Sequence, residues 1–305
     1  MIHGVINVYK EKGFTSHDVV AKLRGITRQK KIGHTGTLDP DAEGVLPVCM
    51  GKATRLCDML TDKDKTYEAV LLLGTETDTQ DTSGVILAGK DTSHLTEETV
   101  RRAVLSFTGE YEQTPPMYSA VKVNGRKLYE LAREGKVVER SARKVRIHEI
   151  RILAVDLPRV RMEIHCSKGT YIRTLCHDIG QSLGCGGCME QLFRTRAGRF
   201  EIAESLRLSE IEKKRDDGTL MEAVVPVDEM FPDYRKIVAD EKQEPLAYNG
   251  NTFPHRVSQE TGGGLADGEK VRVYDREGNF IAVYEYRSAE DNFRVKKMFF
   301  DRNSK

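Results

Sequence analysis

Gly33-His-Thr-Gly-Thr-Leu-Asp-Pro-Asp-Ala-Glu-Gly-Val-Leu-Pro-Val48 packs three glycines, two prolines, one histidine and three carboxylates into sixteen residues. Neither a regular helix nor a regular strand holds that mixture, because glycine loosens the backbone and proline removes a donor. Pro40 also pushes the backbone of Asp39 out of the α region. The stretch is a constrained loop that runs into an apolar strand at Val45–Met50. A phosphate loop would need G-x-x-x-x-G-K-[ST], but no Lys-Ser/Thr follows Gly33, Gly36 and Gly44 in register, and dinucleotide-binding spacing fails as well. The three carboxylates Asp39, Asp41 and Glu43 remain. Taken alone, an Asp-Pro turn needs no function.

Outward from the loop, the pattern alternates between strands and helices. Residues 4–9 form a short strand, and Thr15-Ser16 caps a helix through Val19, Val20 and Leu23. Ala53–Leu60 has helical spacing, Tyr67–Leu73 is a strand, Asp78–Gly84 is rich in turn residues, and Thr96–Phe107 is a capped amphipathic helix. Val145–Ile152 and Val160–Cys166 alternate as two strands, with Val160, Met162, Ile164 and Cys166 on one face. Tyr171–Leu183 is a helix whose core stripe is Ile172, Leu175, Cys176, Ile179 and Leu183. Composition shifts after about residue 204, and three strand-like runs follow at 271–274, 279–286 and 293–300. A small β-rich domain is expected to start near residue 235.

The chain of 305 residues is long enough for a core without disulfide or metal staples. No signal peptide and no run of eighteen apolar residues is visible. Six scattered cysteines fit a reducing cytoplasm. Cys185-Gly-Gly-Cys188 lacks a second ligand pair at zinc spacing, since Cys176, His177 and His165 match no standard pattern, so free thiols in a glycine turn are expected. The net charge is only +1, yet residues 21–31 carry five basic residues and no acid. Residues 122–146 carry nine basic residues against three acids, and Arg194, Arg196 and Arg199 make a third cluster. One-sided clusters in a nearly neutral chain point to a polyanion footprint.

Taken together, Gly33-His-Thr-Gly-Thr-Leu-Asp-Pro, Gly44-Val-Leu-Pro-Val and Gly51-Lys-Ala-Thr-Arg resemble the aspartate motif of the bacterial tRNA pseudouridine-55 synthases, the TruB-type family. Further matches follow in family order: Lys12-Gly-Phe-Thr-Ser-His-Asp, Lys65-Thr-Tyr67, Gly74-x-x-Thr77-Asp78-Thr79-x-Asp81, Pro115-Pro-Met-Tyr-Ser-Ala, Gly125-Arg-Lys-Leu-Tyr and Lys168-Gly-Thr-Tyr-Ile-Arg173. They cover residues 5 to about 200. Glu11 stands where the family usually has proline, and Glu43 where a small residue is common.

The resemblance implies an α+β pseudouridine synthase core with a mixed, largely antiparallel sheet. It implies a catalytic domain over 1–234 with a thumb inserted at about 122–146, and a PUA-like β-barrel over 235–305. Asp39 would be the catalytic carboxylate, Arg173 its partner, and Tyr67 the ring stacked on the target base, with Leu192 on the other side. His34 would fill the gap left by a flipped base, and Lys12, Thr35 and Tyr171 would contact substrate. The substrate would be the T-arm uridine of tRNA, handled by a cytoplasmic monomer with no guide RNA and no membrane. Pseudouridine formation breaks N1–C1′ and rejoins the base through C5 without oxidation or hydrolysis, so no cofactor and no metal are expected. An aspartate suits either attack at C1′ or proton transfer at C2′. The rivals are a glycosidase using Asp39 with Asp41 or Glu43, an RNA-binding protein without catalysis, and a guide-dependent synthase.

Overall fold

The computed structural model describes residues 1–255 and 264–300. Two sheets carry the fold. In the larger, strands run in the spatial order Val224–Val225, Gly4–Lys10, Glu43–Met50, Gly187–Ala197, Lys65–Leu73, Arg159–Cys166, Arg143–Asp156 and Gly109–Gln113. Two short strands, Ile32–His34 and Phe200–Glu201, pair beside Glu43–Met50 and Gly187–Ala197. Every pairing is antiparallel except that of Gly187–Ala197 with Glu43–Met50, so the sheet is mixed and largely antiparallel, as expected.

Alternation decides the faces. Val160, Met162, Ile164 and Cys166 are fully buried, and Ile172, Leu175, Cys176 and Ile179 of the helix Ile172–Ser182 join them in one cluster with Tyr67, Ala69 and Leu71. Thr15 caps the helix Ser16–Thr27 by a reciprocal capping box with Asp18. That helix buries Val19, Val20 and Leu23 against Ile6, Val8, Leu46 and Val48. Each such side chain contributes about 1.5–3 kcal/mol on leaving water.

Ala53–Leu60 departs from the expected helix. Gly51–Leu56 forms a 3-10 segment and only Cys57–Thr61 is α-helical. The Thr54 hydroxyl donates back to the Gly51 carbonyl at 2.8 Å, which favours the tighter turn, and so short a segment gains little from α propagation. Leu56 is buried while Leu60 is half-buried.

Residues 122–142 lie outside the main sheet. They hold the hairpin Lys122–Val123/Arg126–Lys127 and the helix Leu128–Arg133, around a small core of Met117, Leu128 and Leu131. Arg143 begins a strand of the main sheet, so Arg143, Lys144 and Arg146 belong to that sheet. The second sheet orders Arg235–Val238, Lys270–Tyr274, Phe280–Arg287, Asn292–Met298 and Phe253–Pro254 into an open, curled path around Val271, Val273, Ile281, Tyr284 and Phe293. This small β domain carries the PUA-like character expected of it. Residues 256–263 and 301–305 of the expected 235–305 domain lie outside the described residues. Val283 and Phe299 share a cluster with Val5, Val45, Leu56 and Phe231, and Arg55 Nη1 donates to the carbonyls of Met298 and Phe300 at 2.7 and 3.3 Å. No helix among the described residues is long and apolar enough to cross a membrane.

Candidate active site

Asp39 opens a four-residue turn. Its carbonyl accepts the Ala42 N–H at 3.1 Å, with Pro40 in the second position that its fixed φ suits. Three buried side chains then hold the loop. Ser16 Oγ accepts the Leu38 N–H at 2.9 Å and lies 3.3 Å from the Leu38 carbonyl, to which it also donates. Lys10, fully buried at the end of the first strand, donates from Nζ to the carbonyls of Ala42, Pro40 and Glu11 at 2.5, 3.1 and 3.3 Å. Arg194, only 1% exposed, donates from Nε to Val45 O at 2.6 Å and from Nη2 to Gly36 O at 3.2 Å, so it ties the two arms of the loop together. Gly44 makes this crossing feasible: it has φ +108°, and a Cβ there would lie 2.2 Å from the Arg194 carbonyl oxygen.

Arg173 completes the centre. Its Nε lies 3.1 Å from Asp39 Oδ2 and its Nη2 3.4 Å from Asp39 Oδ1. The remaining donors go to Asp81 Oδ2 at 3.2 Å, Thr79 O at 3.1 Å and Tyr118 O at 2.9 Å. The other Asp81 oxygen accepts from Thr79 Oγ1, Ser83 N and Ser83 Oγ. Arg173 is therefore a buried fork shared between two carboxylates. Arg173 lies one residue beyond Ile172, off the core stripe, yet it is buried, in ion pairs with Asp39 and Asp81.

Asp39 lies in a recess with 38% of its side-chain surface open. Burial pushes its carboxyl above the ordinary carboxylate range; Arg173 pulls it down, Asp81 pushes it up, and Lys10 pulls it down. Burial is thus a larger influence on Asp39 than Arg173, whose guanidinium also serves Asp81. Burial lowers Lys10 to about 8, with Asp39 acting against that shift.

Tyr67 is buried in the cluster that holds Leu38 and Ala42. Burial raises its phenol, while the Arg194 guanidinium beside it works the other way. Leu192 pairs with Ala69 and Arg194 with Tyr67 across neighbouring strands, so Leu192 and Tyr67 share one sheet face. Leu192 is partly exposed. His34 ends a short strand and its Nδ1 accepts the Gly36 N–H at 3.3 Å, which makes it a loop histidine bonded to its own turn. Burial lowers its pKa, and His17 and Arg194 add to that. Thr35 is buried, with its N–H on Pro47 O at 3.1 Å. Tyr171 caps the Arg173 helix, and its backbone exchanges two hydrogen bonds with the Gln113 side chain at 2.7 and 3.0 Å. Lys12 is exposed in the turn next to Gly13, whose N–H reaches Pro40 O at 2.9 Å.

Three members of the centre escaped sequence reasoning as site residues. Asp81 ends the Gly74–Asp81 motif, which by itself assigns it no role. Lys10 sits two residues before Lys12. Arg194 was counted in a surface cluster, and its burial removes it from any RNA footprint. Asp41 is exposed, whereas Glu43 accepts from the Tyr9 hydroxyl at 3.1 Å. All six cysteines are free, and Cys185 and Cys188 are buried.

An α+β core with a mixed sheet, a loop-tip carboxylate gripped by a buried arginine and a small PUA-like β domain define a pseudouridine synthase. Solved structures agree on the fold. An H/ACA RNP bound to a substrate RNA containing 2′-deoxyuridine superposes with TM-score 0.70 at 25% identity, over 99% of this chain and 86% of that one. A Cbf5-Nop10-Gar1 complex gives TM-score 0.71 at 26% identity over the same shares. The model for the N-terminal domain of TruB family pseudouridylate synthases matches residues 24–172, and that for the tRNA pseudouridylate synthase B C-terminal domain matches 173–232. A tRNA pseudouridine synthase B of Lachnoclostridium phytofermentans is 52% identical, covering 98% of this chain and all of that one. Its counterpart in Clostridium acetobutylicum is 42% identical over 97% and 99%. The chain belongs to the TruB family of pseudouridylate synthases.

Proposed function

We propose that the chain isomerises the T-loop uridine at tRNA position 55 to pseudouridine, with Asp39 as the catalytic carboxylate. The observation that supports this most directly is the Arg173 fork on Asp39 at the tip of a turn braced by Lys10, Ser16 and Arg194. Such bracing places one carboxylate oxygen reproducibly, which is what a reaction at a single sugar carbon needs.

A stacked uridine must leave the helix of its arm, at a cost of a few kcal/mol. The Tyr67 ring and Leu192, on one sheet face, offer apolar surface to the two sides of the base. Asp39 then acts at C1′ or C2′; N1–C1′ breaks, the base turns, C5 bonds to C1′, and the C5 proton leaves while N1 gains one. The neutral Tyr67 phenol serves as a proton relay near the base. His34 occupies the space of the flipped nucleotide, and Lys12, Thr35 and Tyr171 line the RNA path. The catalytic domain spans 1–234 and the PUA-like RNA-binding domain 235–305. The basic segment 122–142, the part of the expected thumb that lies outside the main sheet, closes on the arm and reads backbone and shape. The enzyme works in the cytoplasm as a monomer, without guide RNA or cofactor, because the reaction only rearranges bonds within its substrate.

The test is a single-turnover assay on an unmodified tRNA transcript, with pseudouridine mapped by carbodiimide adducts and primer extension. Wild type converts the T-loop uridine. Asp39→Asn binds the tRNA but loses on the order of 10²–10⁴-fold in rate. If both proteins bind and neither converts, the chain is an RNA binder and the catalytic assignment is wrong.

A further inference from the structure

Three side chains that this chemistry does not use meet on the sheet face opposite Tyr67. Asp64 immediately precedes the strand Lys65–Leu73, His165 lies on Arg159–Cys166 and His148 on Arg143–Asp156, and these three strands are neighbours. His165 alternates with Ile164 and Cys166, both fully buried, so its ring faces away from the core. A register shift between Ile147 and Glu149 sets His148 and Glu149, two successive residues, outward between the buried Ile147 and Ile150. The shift brings the His148 ring to 4.7 Å from that of His165, centroid to centroid.

The donor atoms converge. His148 Nε2 lies 3.2 Å from Asp64 Oδ2, and His165 Nε2 lies 4.0 Å from the same oxygen. One ligand atom from each of the three residues lies within 4.8 Å of the other two. The His165 Nε2 atom is buried and has no hydrogen-bond partner. A separation of 4.0 Å is too long for a hydrogen bond. Zinc with bonds of about 2.0–2.2 Å in a tetrahedron needs its ligands roughly 3.3–3.6 Å apart, so about 1 Å of side-chain movement closes the set.

We propose that Asp64, His148 and His165 form a three-ligand site for a borderline divalent cation of the zinc class, with water completing the shell. Two imidazoles and one carboxylate suit zinc, nickel or copper rather than magnesium or calcium, which prefer oxygen. Arg196 pairs across the strands with Thr66, itself opposite His165, but its Nε is engaged by Thr66 Oγ1 at 3.2 Å and its Nη1 by Gly198 O at 3.5 Å. An ion held there pins three adjacent strands on the solvent side of the sheet that carries Tyr67 on its other face.

The experiment is zinc titration of the full chain after chelator treatment and dialysis, by calorimetry, with a thermal melt at each zinc level. Wild type is expected to take up one zinc and to melt higher with it. Asp64→Asn and His148→Ala are each expected to lose at least tenfold in affinity and to lose the rise in melting temperature, while magnesium neither binds nor competes. Cobalt in place of zinc should give ligand-field bands that His148→Ala abolishes. His148 is exposed, so His148→Ala leaves the core intact, and circular dichroism checks that; His148→Gln serves as a second variant. Zinc uptake unchanged in both His148 variants would place the metal elsewhere and overturn the proposal, as would binding no tighter than millimolar in wild type.

Discussion

The loop around Asp39 and the segment 117–142 both stand outside the regular sheet, and they are built in opposite ways. The loop is held by buried Lys10, Ser16, Arg173 and Arg194, whose donors reach its backbone carbonyls and the Asp39 carboxylate. The segment has a core of three buried residues, and its charges pair outward: Arg126 with Glu134 and Lys136 with Glu134. One region spends buried polar groups to fix an atom. The other leaves its charge exposed, paired only at the surface. Buried, partnered charges are worth several kcal/mol when broken, whereas exposed pairs contribute little.

The sharpest way to break this contrast is Arg173→Lys. An ammonium cannot span Asp39, Asp81 and two carbonyls as the fork does. The single-turnover rate is expected to fall at least 100-fold, an order-of-magnitude figure for a mispositioned catalytic group. Because Arg173 pulls the Asp39 pKa down against burial, the acid limb of the rate–pH profile should also move to higher pH. An unchanged rate would mean that the fork is not needed.

Lys10→Met comes next, expected to cost about tenfold in rate through a looser loop. Its pH signature has a definite sign. The folded pKa is about 8, below the value of about 10.4 for an unfolded lysine, so the unfolded chain holds this proton more tightly. The penalty for burying the charge is complete below pH 8 and fades as pH rises towards 10.4. Wild type should therefore gain about 2 kcal/mol relative to Lys10→Met between pH 7 and 9.5 in denaturant melts.

Leu131→Ala probes the other region. It should cost about 2 kcal/mol, at the low end for a buried leucine, and the loss should stay local. Proteolysis within 117–142 is expected to rise and KM with it, while the rate at saturating tRNA holds. Lys136→Ala should have the smallest effect, with no change in melting temperature and a salt slope of tRNA binding reduced by about one.

Some of this was legible in the sequence. Strands such as Arg159–Cys166 and the helix Ile172–Ser182 follow directly from apolar periodicity, because side-chain alternation and the 3.6-residue turn dictate which face is dry. The motifs pointed to the pairing of Asp39 with Arg173, which lie 3.1 Å apart in the structure. Asp81 could have been found the same way, since it lay within one, but its only visible sign was an acid in a turn. Lys10 and Arg194 were hidden for a physical reason: a cation is read as surface by default, and what buries these two is a set of loop carbonyls that only the folded backbone supplies. The same blindness applied to the 3-10 segment at Gly51–Leu56, where one hydroxyl back-bond decides between two helices. His34 shows the reverse: its observed bond to Gly36 is the ordinary structural role that any loop histidine offers.

The parallel contact between Gly44 and Arg194 carries a consequence for synthesis. The side chain that laces the Asp39 loop lies 150 residues downstream of the glycine it crosses, counting from Gly44 to Arg194. At about 5–20 residues per second, a ribosome would take roughly 8–30 s to make that stretch. Throughout that interval the nascent chain carries its acid without the cord that tightens around it, so the centre is sealed late, by a strand that slides between two already made.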